Sequence, residues 1–131
     1  MCGADSSVKC ADNLFCGVNK AADPANGTDL EKKHTPVITA PDEVKQGECF
    51  DVTVEVGKLL AHPNERDHHF GFIELYADDT YLGRQDFTPV TTCPVARFCV
   101  SLDHVHGKLR AFASCNLHGV WEGDKPLAVT G

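Results

Sequence analysis

Phe50-Asp51-Val52-Thr53-Val54-Glu55-Val56 is the stretch that decides the fold class. Apolar and polar residues alternate without a break, and a β-strand sends successive side chains to opposite faces. Phe50, Val52, Val54 and Val56 therefore line one buried face, while Asp51, Thr53 and Glu55 face water. Toward the C-terminus the same period returns over 70–76, with Phe70, Phe72 and Glu74 on one side and Gly71, Ile73 and Leu75 on the other. Asp78-Asp79 is a turn, and residues 81–87 return from it. Residues 97–102 and 108–113 follow, separated by the turn Asp103-His104-Val105-His106-Gly107, and residues 120–129 close the chain. On the other side, Pro36-Val37-Ile38-Thr39 supplies a short β-branched run. Six to seven short antiparallel strands with regular turn signals, and no amphipathic helix, predict an all-β sandwich or a small Greek-key barrel.

Residues 1–30 read differently. They carry Cys2, Cys10 and Cys16 among Asn, Asp, Gly and Ala, without periodicity, and contain the turn-rich run Asp23-Pro24-Ala25-Asn26-Gly27. We expect an irregular Cys-containing extension there, with a short helical turn near 12–18 and a local Cys10–Cys16 staple. The β domain is expected over 31–131.

The composition narrows the function. The 131 residues hold 12 Lys and Arg against 19 Asp and Glu, for a net charge of −7. Nucleic-acid-binding modules show the opposite balance, so DNA and RNA are poor partners. No apolar run reaches the roughly 20 residues that span a bilayer. The start lacks an apolar signal segment, which predicts a cytoplasmic protein, or a periplasmic or lipid-anchored one if Cys2 is a processed lipoprotein start. Oligomeric state stays open, a homo-oligomer included.

Seven Cys and seven His in so short a chain point to metal or redox chemistry. Cys115-Asn116-Leu117-His118 sets a thiolate and an imidazole three apart, so that a tight turn brings both to one ion. His62 and His68 stand at the two ends of a loop between strands, and His34 stands at the entrance to the first core strand. All five fall at strand ends, where loops of a sandwich meet. His69 should face away from His68. His104 and His106 sit in a turn and are expected in solvent. Cys49 reads as a small buried hydrophobe, and Cys93 and Cys99 as a local disulfide. Four imidazoles and one thiolate exceed tetrahedral zinc. Blue copper wants an axial Met, and the sole Met is Met1. Five ligands with one position free suit octahedral iron. Two other classes remain beside this one: a copper-binding electron carrier, and a non-catalytic, disulfide-bearing interaction module.

Three segments, in order, resemble the superoxide reductases of the neelaredoxin and desulfoferrodoxin family. They are Glu31-Lys32-Lys33-His34-Thr35-Pro36-Val37-Ile38, then His62-Pro63-Asn64 through His68-His69, then Cys115 through Glu122. The resemblance implies an immunoglobulin-like β-sandwich and one mononuclear iron. It implies equatorial His34, His62, His68 and His118, axial Cys115, and a sixth position open to superoxide. Lys33 matches the lysine that guides the anion, which an acidic protein must attract locally. The product would be hydrogen peroxide, with the electron drawn from a rubredoxin-like donor. Two positions depart from the pattern. The family has Glu directly before that Lys; here Lys32 stands there and the acid is Glu31, so water or hydroxide is expected at the sixth position in its place. Cys2, Cys10 and Cys16 fit neither Cys-x-x-Cys nor Cys-Cys, so no second rubredoxin-type iron is expected.

Overall fold

Residues 13–131 are described by a computed structural model. In chain order these are β1 (Asn19–Lys20), a 3-10 turn (Pro24–Asn26), α1 (Asp29–His34), β2 (Val37–Thr39), β3 (Glu43–Lys45), β4 (Cys49–Glu55), β5 (Phe70–Ala77), β6 (Thr80–Asp86), β7 (Val95–Ser101), β8 (Lys108–Cys115), β9 (Gly119–Pro126) and β10 (Ala128–Thr130). One sheet runs β1-β9-β8-β5-β6, a second runs β2-β4-β7, and β10 pairs β3 alone. The expected all-β, immunoglobulin-like sandwich is what forms. Its long strands pair antiparallel, whereas the short pairs β1·β9 and β3·β10 are parallel. Strands of two or three residues are too short to show a period, which is why β1 and β3 are absent from the sequence reading, and the closing segment 120–129 is two strands, β9 and β10.

The alternating stretch behaves as read. Val52 and Val54 are fully buried and Val56 nearly so. They meet Ile73, Leu75 and Ala77 of β5 and Leu109, Ala111 and Ala113 of β8, which are all fully buried. Apolar surface removed from water between the two sheets is the main force holding them together.

Strand β5 departs from its predicted facing at one residue. Phe70 pairs with Cys115, but Phe72 pairs with Ser114, so Gly71 is an extra residue in the ladder. A bulge of this kind turns the strand beyond it. Phe70 is thereby buried at 3% exposure beside the inner face, while Phe72 stays outside.

Helix α1 was not expected. Six residues are too few for an amphipathic pattern, yet the capping signature Thr28-Asp29-Leu30-Glu31 was in the sequence. The Glu31 N–H donates to Thr28 Oγ1 at 3.2 Å, and the Thr28 N–H donates to Glu31 Oε1 at 2.8 Å. Lys32, Lys33 and His34 occupy the last turn, where positive charge complements the helix dipole.

The cysteine assignments need correction. Cys49 is exposed, because it shares the outward face of β4 with Asp51 and the inward positions are the even-numbered ones. Cys93 and Cys99 are both free thiols: Cys99 lies in β7 opposite Asp51 and Cys93 in the loop before that strand. Cys16 is disulfide-bonded; its expected partner Cys10 lies outside the described residues, as does Cys2. Near Cys16 the expected helical turn is one reverse turn, closed by the Cys16 N–H donating to the Asn13 carbonyl at 3.0 Å. His106 is also not in free solvent, since its side chain is 12% exposed and packs its Nδ1 3.1 Å from Asp78.

Candidate metal centre

The five predicted residues come together at one end of the sandwich. One ligand atom from each of His34, His62, His68, Cys115 and His118 lies within 4.8 Å of all the others. A helix end, a loop and a strand-to-strand turn supply them. His34 ends α1 and is 1% exposed. His68 is set by a tight turn in which the Glu65 and His68 backbones exchange N–H to carbonyl bonds at 2.8 and 3.1 Å. Cys115 ends β8, and His118 precedes Gly119, whose φ of +81° closes the turn into β9. That φ lies in the left-handed region which glycine adopts without a Cβ penalty. Asn116 then ties this turn to the histidine loop. Its amide accepts from the His69 N–H at 2.9 Å and donates to the Asp67 carbonyl at 2.9 Å.

The imidazole tautomers indicate what the cluster can hold. His34 Nδ1 lies 2.7 Å from the Leu30 carbonyl, and His62 Nδ1 lies 2.6 Å from the Pro63 carbonyl. A carbonyl only accepts, so each ring carries its proton on Nδ1 and presents a bare lone pair at Nε2. Those two Nε2 atoms face each other at 3.2 Å. Two lone pairs so placed repel unless a cation is shared between them. Cys115 Sγ lies 3.6 Å from His62 Nε2 and 3.8 Å from His118 Nδ1. His68 Nε2 is buried without a hydrogen-bond partner, and burying such an atom unpaired is costly. A neutral-imidazole and thiolate set of this kind fits one transition-metal ion.

Burial acts on the same groups. It lowers the pKa of His34 to about 4, with lesser contributions from the charges of His118, His68 and Lys33. Burial likewise lowers His62 to about 4, and it lowers His118. It pushes the Cys115 thiol up, so in the metal-free protein the sulfur stays protonated and a cation is needed to hold it as thiolate.

A profile of the desulfoferrodoxin family matches residues 26–124. A relative from Methanocaldococcus jannaschii is 43% identical over 115 residues, spanning 86% of this chain and 95% of its own. The superoxide reductase of Pyrococcus furiosus is 37% identical over 114 residues, spanning 73% of this chain and 89% of its own. The chain belongs to the desulfoferrodoxin family. Among solved structures, the superoxide reductase (neelaredoxin) of Ignicoccus hospitalis superimposes with a TM-score of 0.73 at 37% identity. That match covers 86% of this chain and 94% of the other.

Lys33 and Glu31 are placed differently from each other in this desulfoferrodoxin-family chain. Lys33 is in the last turn of α1, half-buried, and its charge reaches His34. The Glu31 carboxylate is engaged at the start of the helix with Thr28. His69 lies outside the five-residue cluster and turns its Nδ1 to the Glu65 carbonyl at 3.1 Å.

Two supporting residues have no role in the sequence reading. Trp121 stacks on His34, with centroids 5.2 Å apart and planes at 27°, and its Nε1 donates to the His118 carbonyl at 2.9 Å. Phe70 packs on His34 at 5.7 Å and on His62 at 4.4 Å. Trp121 falls within a segment singled out by sequence, but nothing there marks it as a support. Phe70 is hidden by the bulge at Gly71.

A pH dependence follows from the two depressed histidines. In the unfolded chain they protonate near 6.5, and in the folded metal-free protein near 4. Between those values the unfolded state binds more protons, so stability falls as pH falls through that window. Thermal melts of the metal-free protein should give a lower Tm at about pH 5 than at about pH 7. Equal Tm values at the two pH values would mean the rings are not held neutral.

Proposed function

We propose that this chain reduces superoxide by one electron to hydrogen peroxide, at a mononuclear iron held by His34, His62, His68, His118 and Cys115. The observation that carries this reading is the convergence of four imidazole nitrogens and one sulfur within 4.8 Å. Bound there as ferrous ion, the metal supplies the electron and a net positive charge toward an anionic substrate. The chain's own residues do the rest. Carbonyls of Leu30 and Pro63 fix two ring orientations, and Trp121 and Phe70 hold those rings against displacement. Fixing the ligands through such outer contacts tunes both metal affinity and reactivity.

Lys33 is the guide for the anion. The protein is negative overall, so attraction has to come from charge beside the site. Lys33 adjoins His34 and stands with Lys32 in the last turn of α1. Lys33→Ala should slow the bimolecular reaction with superoxide about tenfold at low salt, and by less at high salt, where screening shortens the reach of all charges. Rates of the variant and the parent that stay equal across salt concentrations would remove Lys33 from the reaction. Glu31 has a different part: its carboxylate closes the capping box that starts α1, and so it holds Lys33 and His34 in place.

A rubredoxin-like protein is the electron donor we favour. Leu117, between Cys115 and His118, is 50% exposed and offers an apolar contact next to the sulfur. The cytoplasmic location we favour rests on the exposed free thiols of Cys49, Cys93 and Cys99, which a reducing compartment maintains, whereas the disulfide at Cys16 speaks for an oxidising one. No helix among the described residues is long and apolar enough to cross a membrane.

The deciding experiment is iron analysis combined with product stoichiometry. One iron per chain and one peroxide per superoxide consumed, without dioxygen, are expected. One peroxide per two superoxide, with dioxygen released, would make the protein a dismutase. Copper in place of iron would make it an electron carrier.

A further inference from the structure

Cys49 and Cys99 stand apart from the metal centre. Cys49 opens β4 and pairs with Ser101, while Cys99 on β7 pairs with Asp51. The ladder is antiparallel, so the two cysteines are diagonal neighbours on one face, and both are exposed. His34 lies toward the other end of this sheet, where Val37 of β2 pairs with Glu55. Six residues of strand separate Cys49 from Glu55, which is about 20 Å at the rise of a strand. These thiols therefore belong to no part of the ligand cluster.

We propose that Cys49 and Cys99 form a redox-active dithiol that closes to an intrachain disulfide when hydrogen peroxide accumulates and reopens on reduction. The proposal rests on the reductase reading only for the source of the peroxide. Interaction with the neighbouring Cys49 thiol, followed by burial and the charge of Asp51, raises the pKa of Cys99. Cys99 thus keeps its proton and is suited to resolve rather than to attack first. The Cys49 thiolate attacks one peroxide oxygen; the O–O bond breaks, hydroxide leaves with the proton released from Cys49, and Cys49 carries a sulfenic acid. The Cys99 sulfur then attacks the Cys49 sulfur. The S–O bond breaks, the S–S bond forms, and the hydroxyl leaves with the Cys99 proton as water. Two thiols lose two electrons, and peroxide becomes two waters.

The position also explains why the bond would be reversible. A diagonal pair across two strands sits wider apart than an unstrained disulfide prefers. Closing it draws together the first residue of β4 and the end of β7, where Gly47 at φ +83° precedes the strand. Exposed and strained disulfides are the readily reduced ones.

The test is peptide mapping of the iron-loaded protein, treated with added hydrogen peroxide and alkylated without reductant. Trypsin leaves Cys49 in 46–58, Cys99 in 98–108 and Cys93 in 85–97. The expected product is 46–58 joined to 98–108 within one chain, two hydrogens lighter and released by dithiothreitol. Cys93→Ser should give the same product. Cys99→Ser should instead carry Cys49 on to the sulfinic acid, with superoxide reduction unchanged. Separate sulfinic acids at both cysteines in the parent protein, a bridge through Cys93, a bridge between two chains, or untouched thiols would each overturn the proposal. Because peroxide is added and the readout is mass, this outcome is independent of whether the chain reduces superoxide.

Discussion

Cys115→Ser is expected to remove the thiolate-to-iron absorption of the oxidised protein and to lower peroxide formation from superoxide by at least about 100-fold. Loss of mere supporting groups around a metal costs roughly 10–100-fold, and Cys115 is the sulfur in the cluster itself. A Cys115 thiolate holding iron would also push electron density onto it, which would favour electron transfer to the substrate. Serine is close in size but stays protonated, so it supplies neither the charge nor the visible band. Cys115 is 1% exposed and ends β8 within the core, so the serine hydroxyl also carries a cost in folding. Far-ultraviolet dichroism and the Tm of the variant separate loss of chemistry from loss of fold. An unchanged visible spectrum with full iron content would remove Cys115 from the ligand set.

Gly123→Ala should be a strongly damaging methyl addition near the centre. The Cβ built on Gly123 of β9 falls inside the Pro36 carbonyl oxygen, with the Pro36 ring also in contact. The obstacle is backbone, which cannot swing aside as a side chain would. Overpacking a tight site costs about 1–3 kcal/mol, and a backbone collision belongs at the upper end. For a chain of this size about 3 kcal/mol corresponds to roughly 10 °C in Tm. Pro36 follows His34 by two residues, so the shift also carries that ligand, and iron retention should fall with stability. Gly71→Ala is the control, because nothing lies within 4 Å of its added methyl. Similar melting of the two variants would mean that Pro36 yields without cost.

Much of the site was legible in the sequence because it depends on residue type and spacing at strand ends. His62 and His68 bracket a loop, and Cys115 and His118 bracket a turn, so local geometry brings each pair together. The inner faces of β4 and β8 were legible for a similar reason: Val52, Val54, Leu109 and Ala111 follow a strict two-residue period. Short-range regularities of this kind survive into the fold.

Other features depend on contacts between distant segments. Phe70 reaches His34 and His62 only because Gly71 bulges against β8. Trp121 supports His34 only because β9 runs past the end of α1. Cys49 and Cys99, fifty residues apart in the chain, become neighbours through the register of β4 with β7, and no spacing between them announces it.

By itself the sequence determined the all-β class, the buried strand faces and the five donors, because periodicity and side-chain chemistry are local properties. Tertiary structure alone decided the convergence of those donors within 4.8 Å, the tautomers that leave bare nitrogens facing one another, and the aromatic supports behind them. Each of these follows from register, bulge and packing between strands, which are set by burying the core as a whole.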